Sequence, residues 1–268
     1  MGFLSSVLDW RRTIVGISAI ASILAPTLHM AHSTQFSPAA APRTLGLRAV
    51  GATAPAYDAG WKLSEESSFG GTAPNATYWD LYNRPDAPPV NNFVPSQVTE
   101  GNGAITLKAT ARHGAGMCWC KDQPNTPYGR WEIRARSTGV NGQEAALILW
   151  PKADWPEAGE IDISEVSGDP HDNSTTTLHY GRQNHITQVG HQSDYAKWHT
   201  FAVDWEPGSL RTWVDGRLEF STTDTSQIPS GPMFLAIQDQ PNGRWQNSPT
   251  TQSSELQVAW VKVFKAAA

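Results

Sequence analysis

Between residues 59 and 265 the chain runs in short stretches that alternate apolar and polar residues. A period of two suits a strand with one buried face and does not suit an amphipathic helix. Ile105, Leu107 and Ala109 alternate with polar neighbours, and Trp131, Ile133 and Ala135 alternate with Glu132, Arg134 and Arg136. Phe201, Val203 and Trp205 obey the same rule, as do Leu256, Val258, Trp260 and Phe264 with one slip of phase. Asp215-Gly216, set between Trp213 and Phe220, has the residues of a tight hairpin turn. No run of eleven or more residues has helical periodicity. Many short strands over roughly 200 residues predict an all-β domain of two packed antiparallel sheets, a β-sandwich, over residues 59–268.

The rest of the composition narrows the function. The chain is 39% apolar and 17% charged, which is globular and not disordered. Its net charge is −5 with no run of Lys or Arg, so the basic footprint of a nucleic-acid partner is missing. Twelve Trp is a heavy load. At least half are expected to be packing residues, and the others have the flat apolar ring and polar edge that suit sugar faces.

Arg11 and Arg12 precede an apolar run from Ile14 to Ala25 that Pro26 ends. The run is short for a bilayer span and has the layout of an export signal over residues 1–33, an uncleaved anchor being the alternative. Residues 34–58 are rich in Ala, Pro and Thr, a linker composition. A secreted, extracellular monomer without membrane association after signal removal is expected. Cys118 and Cys120 are the two cysteines, and both a bridge across one residue and two free thiols are open.

The most informative stretch is Glu160-Ile161-Asp162-Ile163-Ser164-Glu165, preceded by Trp150-Pro151 and Trp155-Pro156. On a strand Glu160 and Asp162 point to one face, about 7 Å apart. Glu165 is five positions from Glu160, so a regular strand turns it to the opposite face. One extra residue in a β-bulge restores its direction, and bulges are frequent beside active sites. Bringing three acids together is costly unless their repulsion is used. Glycoside cleavage by double displacement uses it: one carboxylate attacks, and a second, protonated carboxyl about 5 Å away acts as acid and then base. A third acid between them can hold the proton where it is needed.

This stretch resembles the signature of glycoside hydrolase family 16, the laminarinase-like group with a concanavalin-like jelly roll, in its bulged Glu-x-Asp-x-x-Glu form. Tyr128-Gly129-Arg130-Trp131, Leu178-His179-Tyr180-Gly181 and Trp198-His199-Thr200-Phe201 are similar to further strands of that family. The resemblance implies that Glu160 is the nucleophile, Glu165 the acid/base and Asp162 the assisting acid. It also implies substrate contacts from Trp150 and Trp155, from His179 on a neighbouring strand, and from Arg134, Trp119 and Trp245.

The sequence departs from the family at two places. Ala259 stands where many relatives carry an acidic residue of a structural calcium site. Ala259 has no side-chain oxygen to offer, so neither a metal nor another cofactor is expected. Phe234 to Gln240 replaces the family's usual Asn-x-Ala-x-Gly-Gly ending, which brings Gln238 and Gln240 to the substrate side as amides. The resulting expectation is retaining endo-hydrolysis of a polysaccharide, a β-1,3-containing glucan first. Transglycosylation on the same glycans is the enzymatic alternative, and a catalytically silent glycan-binding module is the non-enzymatic one.

Overall fold

The computed structural model describes residues 60–86, 92–121, 127–171, 173–241 and 252–267. The proposed export signal, the linker and Trp245 lie outside these residues. Fifteen strands follow in chain order: β1 (Trp61–Ser68), β2 (Trp79–Leu81), β3 (Val98–Gly101), β4 (Ala104–Ala109), β5 (Ala115–Trp119), β6 (Gly129–Ser137), β7 (Gln143–Pro151) and β8 (Glu160–Ser167) form the first half. The second half is β9 (Asn173–Tyr180), β10 (His185–Gln192), β11 (His199–Glu206), β12 (Ser209–Val214), β13 (Arg217–Thr222), β14 (Met233–Pro241) and β15 (Ser254–Ala266). Among the described residues the helical content is one 3-10 turn, Pro95–Gln97.

The strands form two antiparallel sheets, as the alternation predicts. One is ordered β13-β12-β11-β6-β15-β4-β3, with β1 pairing on β15; the other is ordered β10-β9-β8-β7-β14-β5-β2. Ile105, Leu107, Ile133, Phe201, Val203 and Trp205 from the first sheet meet Met117, Leu147, Leu149, Ile161, Ile163 and Leu178 from the second. At about 1.5–3 kcal/mol for each fully buried large apolar side chain, this layer is the main stabilising term. The Asp215-Gly216 turn has positive φ at both residues, 50° and 80°, and closes the β12–β13 hairpin.

The phase slip in β15 falls between Val258 and Trp260, where the register shifts. Beyond it the buried residues are Val261 and Val263, and the alternation expected for Trp260 and Phe264 is corrected: both turn to the other face, half-buried. The two cysteines are bridged, with Cα atoms 5.2 Å apart. The period of two explains how a one-residue spacing allows this, because Cys118 in β5 and Cys120 just past its end lie on the same side while Trp119 points to the other.

A buried acid ties the two sheets together. Asp239 of β14 is fully buried; it accepts from the hydroxyl of Ser254 on β15 at 2.8 and 2.9 Å and from the backbone N–H of Ala109 on β4 at 3.3 Å. Burial raises its pKa to about 8 against the pull of those donors. The folded chain therefore retains a proton that the unfolded chain releases near pH 4, and this contribution to stability is lost as pH rises through 8. Replacing Asp239 by Ala leaves the Ser254 and Ala109 donors unpaired and should cost about 1–3 kcal/mol in denaturant unfolding. Asp239→Asn should instead flatten the dependence of stability on pH between 5 and 8.

Candidate active site

The site is built on three adjacent strands of the second sheet, β7, β8 and β9, on the face turned away from the core. Gly159 sets the entry of β8. Its φ is +80°, and a Cβ there would lie 2.7 Å from Pro229 Cγ and 3.1 Å from the carbonyl of His179, so no other residue fits without displacement. Ile161 then points to the core and Glu160 and Asp162 point away from it.

Ile148 pairs with Asp162 and Leu147 with Ser164, so Ile163 is an extra residue against β7. The same irregularity appears between Asp162 and Glu165 against β9. Ile163 lies in the core, and Ser164, hydrogen-bonded to Ser174 at 2.6 Å, is buried with it. Glu165 thereby returns to the face of Glu160 and Asp162, as the bulge expectation requires. Glu160 and Asp162 are 0% exposed and Glu165 8%, which leaves the last as the member of the trio with access to solvent.

Each acid has its own surroundings. Glu160 Oε2 accepts from the indole N–H of Trp155 at 2.8 Å, while its Oε1 has no hydrogen-bond partner among the described residues. Burial and the charges of Asp162 and Glu165 push the Glu160 pKa well up, and the indole donor pulls against them. Glu165 Oε2 accepts from the hydroxyls of Thr177 at 2.6 Å and Thr175 at 3.2 Å. Gln188 Nε2 donates in turn to Thr177 at 2.8 Å. Burial, with repulsion from Asp162 and Glu144, raises the Glu165 pKa to about 8.

His179 pairs in register with Glu160 and places Nε2 3.4 Å from Asp162 Oδ2. Its Nδ1 donates to Asn184 Oδ1 at 2.8 Å. Burial opposes its charge, but the contact with Asp162 outweighs burial and the imidazole pKa is raised. Glu160, Asp162 and His179 each offer a donor atom within 4.8 Å of the others, a group able to approach a small cation. Its two carboxylates fall short of the six to eight oxygens calcium takes, and one imidazole nitrogen is committed to Asn184.

The other predicted site residues divide. Trp155 is half-buried beside Glu160, and Trp150 stacks behind it with ring centroids 6.0 Å apart and planes 17° apart. Gln238 lies on the same face, in register with Ala146 of β7. Trp119 does not belong to the site: it is 1% exposed in the layer between the sheets, packed on Trp79 at 5.5 Å. The parity of β5 that turns Cys118 outward turns Trp119 inward. Arg134 does not belong either, because β6 is in the opposite sheet. Its guanidinium donates to Thr200 at 3.3 Å and lies 3.6 Å from Asp215.

Sequence reasoning missed Thr175, Thr177 and Asn184. The first two share the parity of His179 on β9, a signal present in the sequence; the turn that brings Asn184 back to His179 left none.

Two carboxyl groups with a third acid between them, gathered on one face of a sheet, are the kind of groups that acid–base cleavage of a glycosidic bond requires. Residues 90–262 match the family described as Glycosyl hydrolases family 16, and the chain belongs to that family. It is 26% identical over 183 residues to a glucan endo-1,3-beta-glucosidase A1 of Niallia circulans, covering 58% of this chain and 27% of that protein. It is 30% identical over 164 residues to a beta-glucanase of Rhodothermus marinus, covering 52% of this chain and 57% of that protein. The chain thus spans only part of the length of these relatives. Its fold matches the laminarinase catalytic domain of Thermotoga maritima with a TM-score of 0.70 at 20% identity, over 78% of this chain and 99% of the other.

The Thr177 hydroxyl stabilises the ionised form of Glu165, so its removal has a definite sign. Thr177→Val should raise the Glu165 pKa further above 8 by roughly one pH unit, the equivalent of one hydrogen bond to a charged group. An NMR titration of the Glu165 carboxyl carbon measures it.

Proposed function

We propose that this chain is a retaining endo-β-glycosidase that cleaves internal linkages of a β-1,3-containing glucan outside the cell. The observation that carries the reading is the bulge at Ile163 and Ser164, which gathers Glu160, Asp162 and Glu165 on one face. The names of the relatives support the glucan, and the apolar run from Ile14 to Ala25 supports export. No helix among the described residues is long and apolar enough to cross a membrane.

In the first step Glu165, protonated below pH 8, gives its proton to the glycosidic oxygen as the bond to the anomeric carbon breaks. Glu160 attacks that carbon and forms a glycosyl ester. Its Oε2 is held by Trp155, which leaves Oε1 as the attacking atom. The attack needs Glu160 ionised while Glu165 is protonated, and the Trp155 indole N–H is the donor that favours the charged form of Glu160 against burial and its acidic neighbours. Once the ester has formed, Glu160 no longer repels a charge on Glu165. The Glu165 carboxylate then takes a proton from water, and the resulting hydroxide displaces Glu160 with a second inversion.

Two carboxyl groups that share their protons titrate as a set, so the pH profile should be a bell whose limbs belong to the trio. The alkaline limb is expected near pH 8, where the coupled acids, Glu165 among them, give up the proton that must be donated. Glu160→Gln should lower turnover of β-1,3-glucan by several orders of magnitude, with the melting temperature retained. NMR of the first product from the unmodified protein should show the β-anomer before mutarotation. The α-anomer appearing first would refute double displacement, and an active Glu160→Gln protein would refute the nucleophile. Product analysis across defined polysaccharides, with and without acceptor oligosaccharides, identifies the polymer and separates hydrolysis from transfer.

Trp155 has a role beyond the sugar stacking expected of it. Trp155→Phe keeps a ring and removes the donor to Glu160, so Glu160 should bind its proton more tightly. The acid limb of the profile should move up by roughly one pH unit. A loss of binding with an unmoved acid limb would make Trp155 a stacking platform alone.

A further inference from the structure

We propose that Thr176 of β9, aligned by His191 of β10, is a positioning residue for Glu165. It fastens the bulge of β8 from the core side and so sets that acid at its working distance from Glu160. The proposal rests on the glycan-cleaving reading of the acid trio and assigns the groups that hold its spacing.

A bulge redirects a side chain and also takes backbone groups out of the ladder. Asp162 pairs with Thr177 and Glu165 with Thr175, so Ile163 and Ser164 together face Thr176. Both lie on the dry side of the sheet, where a polar group without a partner is costly. Side chains of β9 meet that need. Thr176 Oγ1 donates to the carbonyl of Ile163 at 3.1 Å, and Ser174 Oγ lies 2.6 Å from Ser164 Oγ. Ser174 and Thr176 are buried, on the face of β9 that carries Leu178 into the apolar layer. Hydroxyls are out of place in that layer, and the bulge opposite accounts for them.

The direction of the Thr176 hydroxyl follows from its neighbours. A hydroxyl has one proton and a carbonyl can only accept, so the proton goes to Ile163. His191 Nε2, 3.0 Å from the same oxygen, is then the donor N–H. Thr212 Oγ1 of β12 lies 3.3 Å away and can donate to the remaining lone pair. His191 is held in turn from the opposite sheet, its Nδ1 3.0 Å from Glu219 Oε2 on β13. The contacts Glu219, His191, Thr176 and Ile163 thus run from the margin of one sheet to the bulge in the other, and end two residues before Glu165. Thr176 points away from the acids, so it acts on Glu165 through the backbone. A displacement of about 1 Å at a reacting group can cost roughly 100-fold in rate.

The test is turnover of β-1,3-glucan by Thr176→Val, Thr176→Ser and Thr212→Val. Valine keeps the shape of threonine and loses the hydroxyl, whereas serine keeps the hydroxyl and loses the methyl group. Thr176→Val should lower kcat roughly 10- to 100-fold with KM within about twofold. Thr176→Ser should keep kcat within about threefold while its melting temperature falls with the lost methyl. Thr212→Val removes a neighbour of the same oxygen but no bond to the bulge, and should keep kcat. The defect of Thr176→Val should lie in proton transfer. With an aryl β-glycoside of a β-1,3-linked glucose oligosaccharide that has an excellent leaving group, azide should restore its turnover and yield the β-glycosyl azide, since neither step then needs Glu165. An unchanged kcat in Thr176→Val, an equal loss in Thr212→Val, a Thr176→Ser protein as slow as Thr176→Val, or no rescue by azide would each overturn the proposal. A Thr176→Val protein that does not fold would overturn it too, by making the hydroxyl structural alone. Glu165→Ala separates the proposal from the reading beneath it, because full activity on glucan in that variant would count against the trio itself.

Discussion

The period of two along a strand is the constraint on which this molecule depends. It sends alternate side chains to a dry layer between the sheets and to an open face, and the chain uses both destinations on every central strand. β8 must also bring three acids to one face across a spacing that parity forbids. The extra residue at Ile163 and Ser164 resolves the conflict. It tucks two small or apolar residues toward the core in succession and returns Glu165 to the side of Glu160 and Asp162. Without that residue Glu165 would point between the sheets as an unpaired charge, at a cost that only its protonation could limit.

Once gathered, the acids differ because their neighbours differ. Glu160 receives an indole N–H, Glu165 receives two threonine hydroxyls, and Asp162 faces an imidazole. These partners come from the loop before β8 and from β9, not from β8 itself. The strand supplies charge and its surroundings supply asymmetry. Burial amplifies each of these differences, since a single donor matters more where water does not compete.

The fold and the trio were legible because both are written in local order: alternation gives strands, and a spacing of five requires a bulge. What parity does not encode is the sheet to which a strand belongs. Arg134 was correctly placed on a face without a hydrophobic partner, but that face belongs to the sheet opposite the site. Trp119 was expected among the substrate contacts, whereas the alternation of β5 buries it. Trp260 and Phe264 turned outward because a single residue, Ala259, absorbs the slip in β15. Thr175 and Thr177 could have been found by counting back in twos from His179. Asn184 could not, because its contact with His179 is made by a turn.

Strand order gives the site an uneven capacity for change. β7, β8 and β9 are mutual neighbours in the interior of their sheet, and each is hydrogen-bonded along both edges. A shift in any of them would have to be passed to the next, so the three acids are set in the stiffest part of the domain. β2, by contrast, is a three-residue strand at the margin, paired on one side alone among the described residues. Residues can therefore be exchanged at that margin without disturbing the centre, which is held by its own hydrogen bonds.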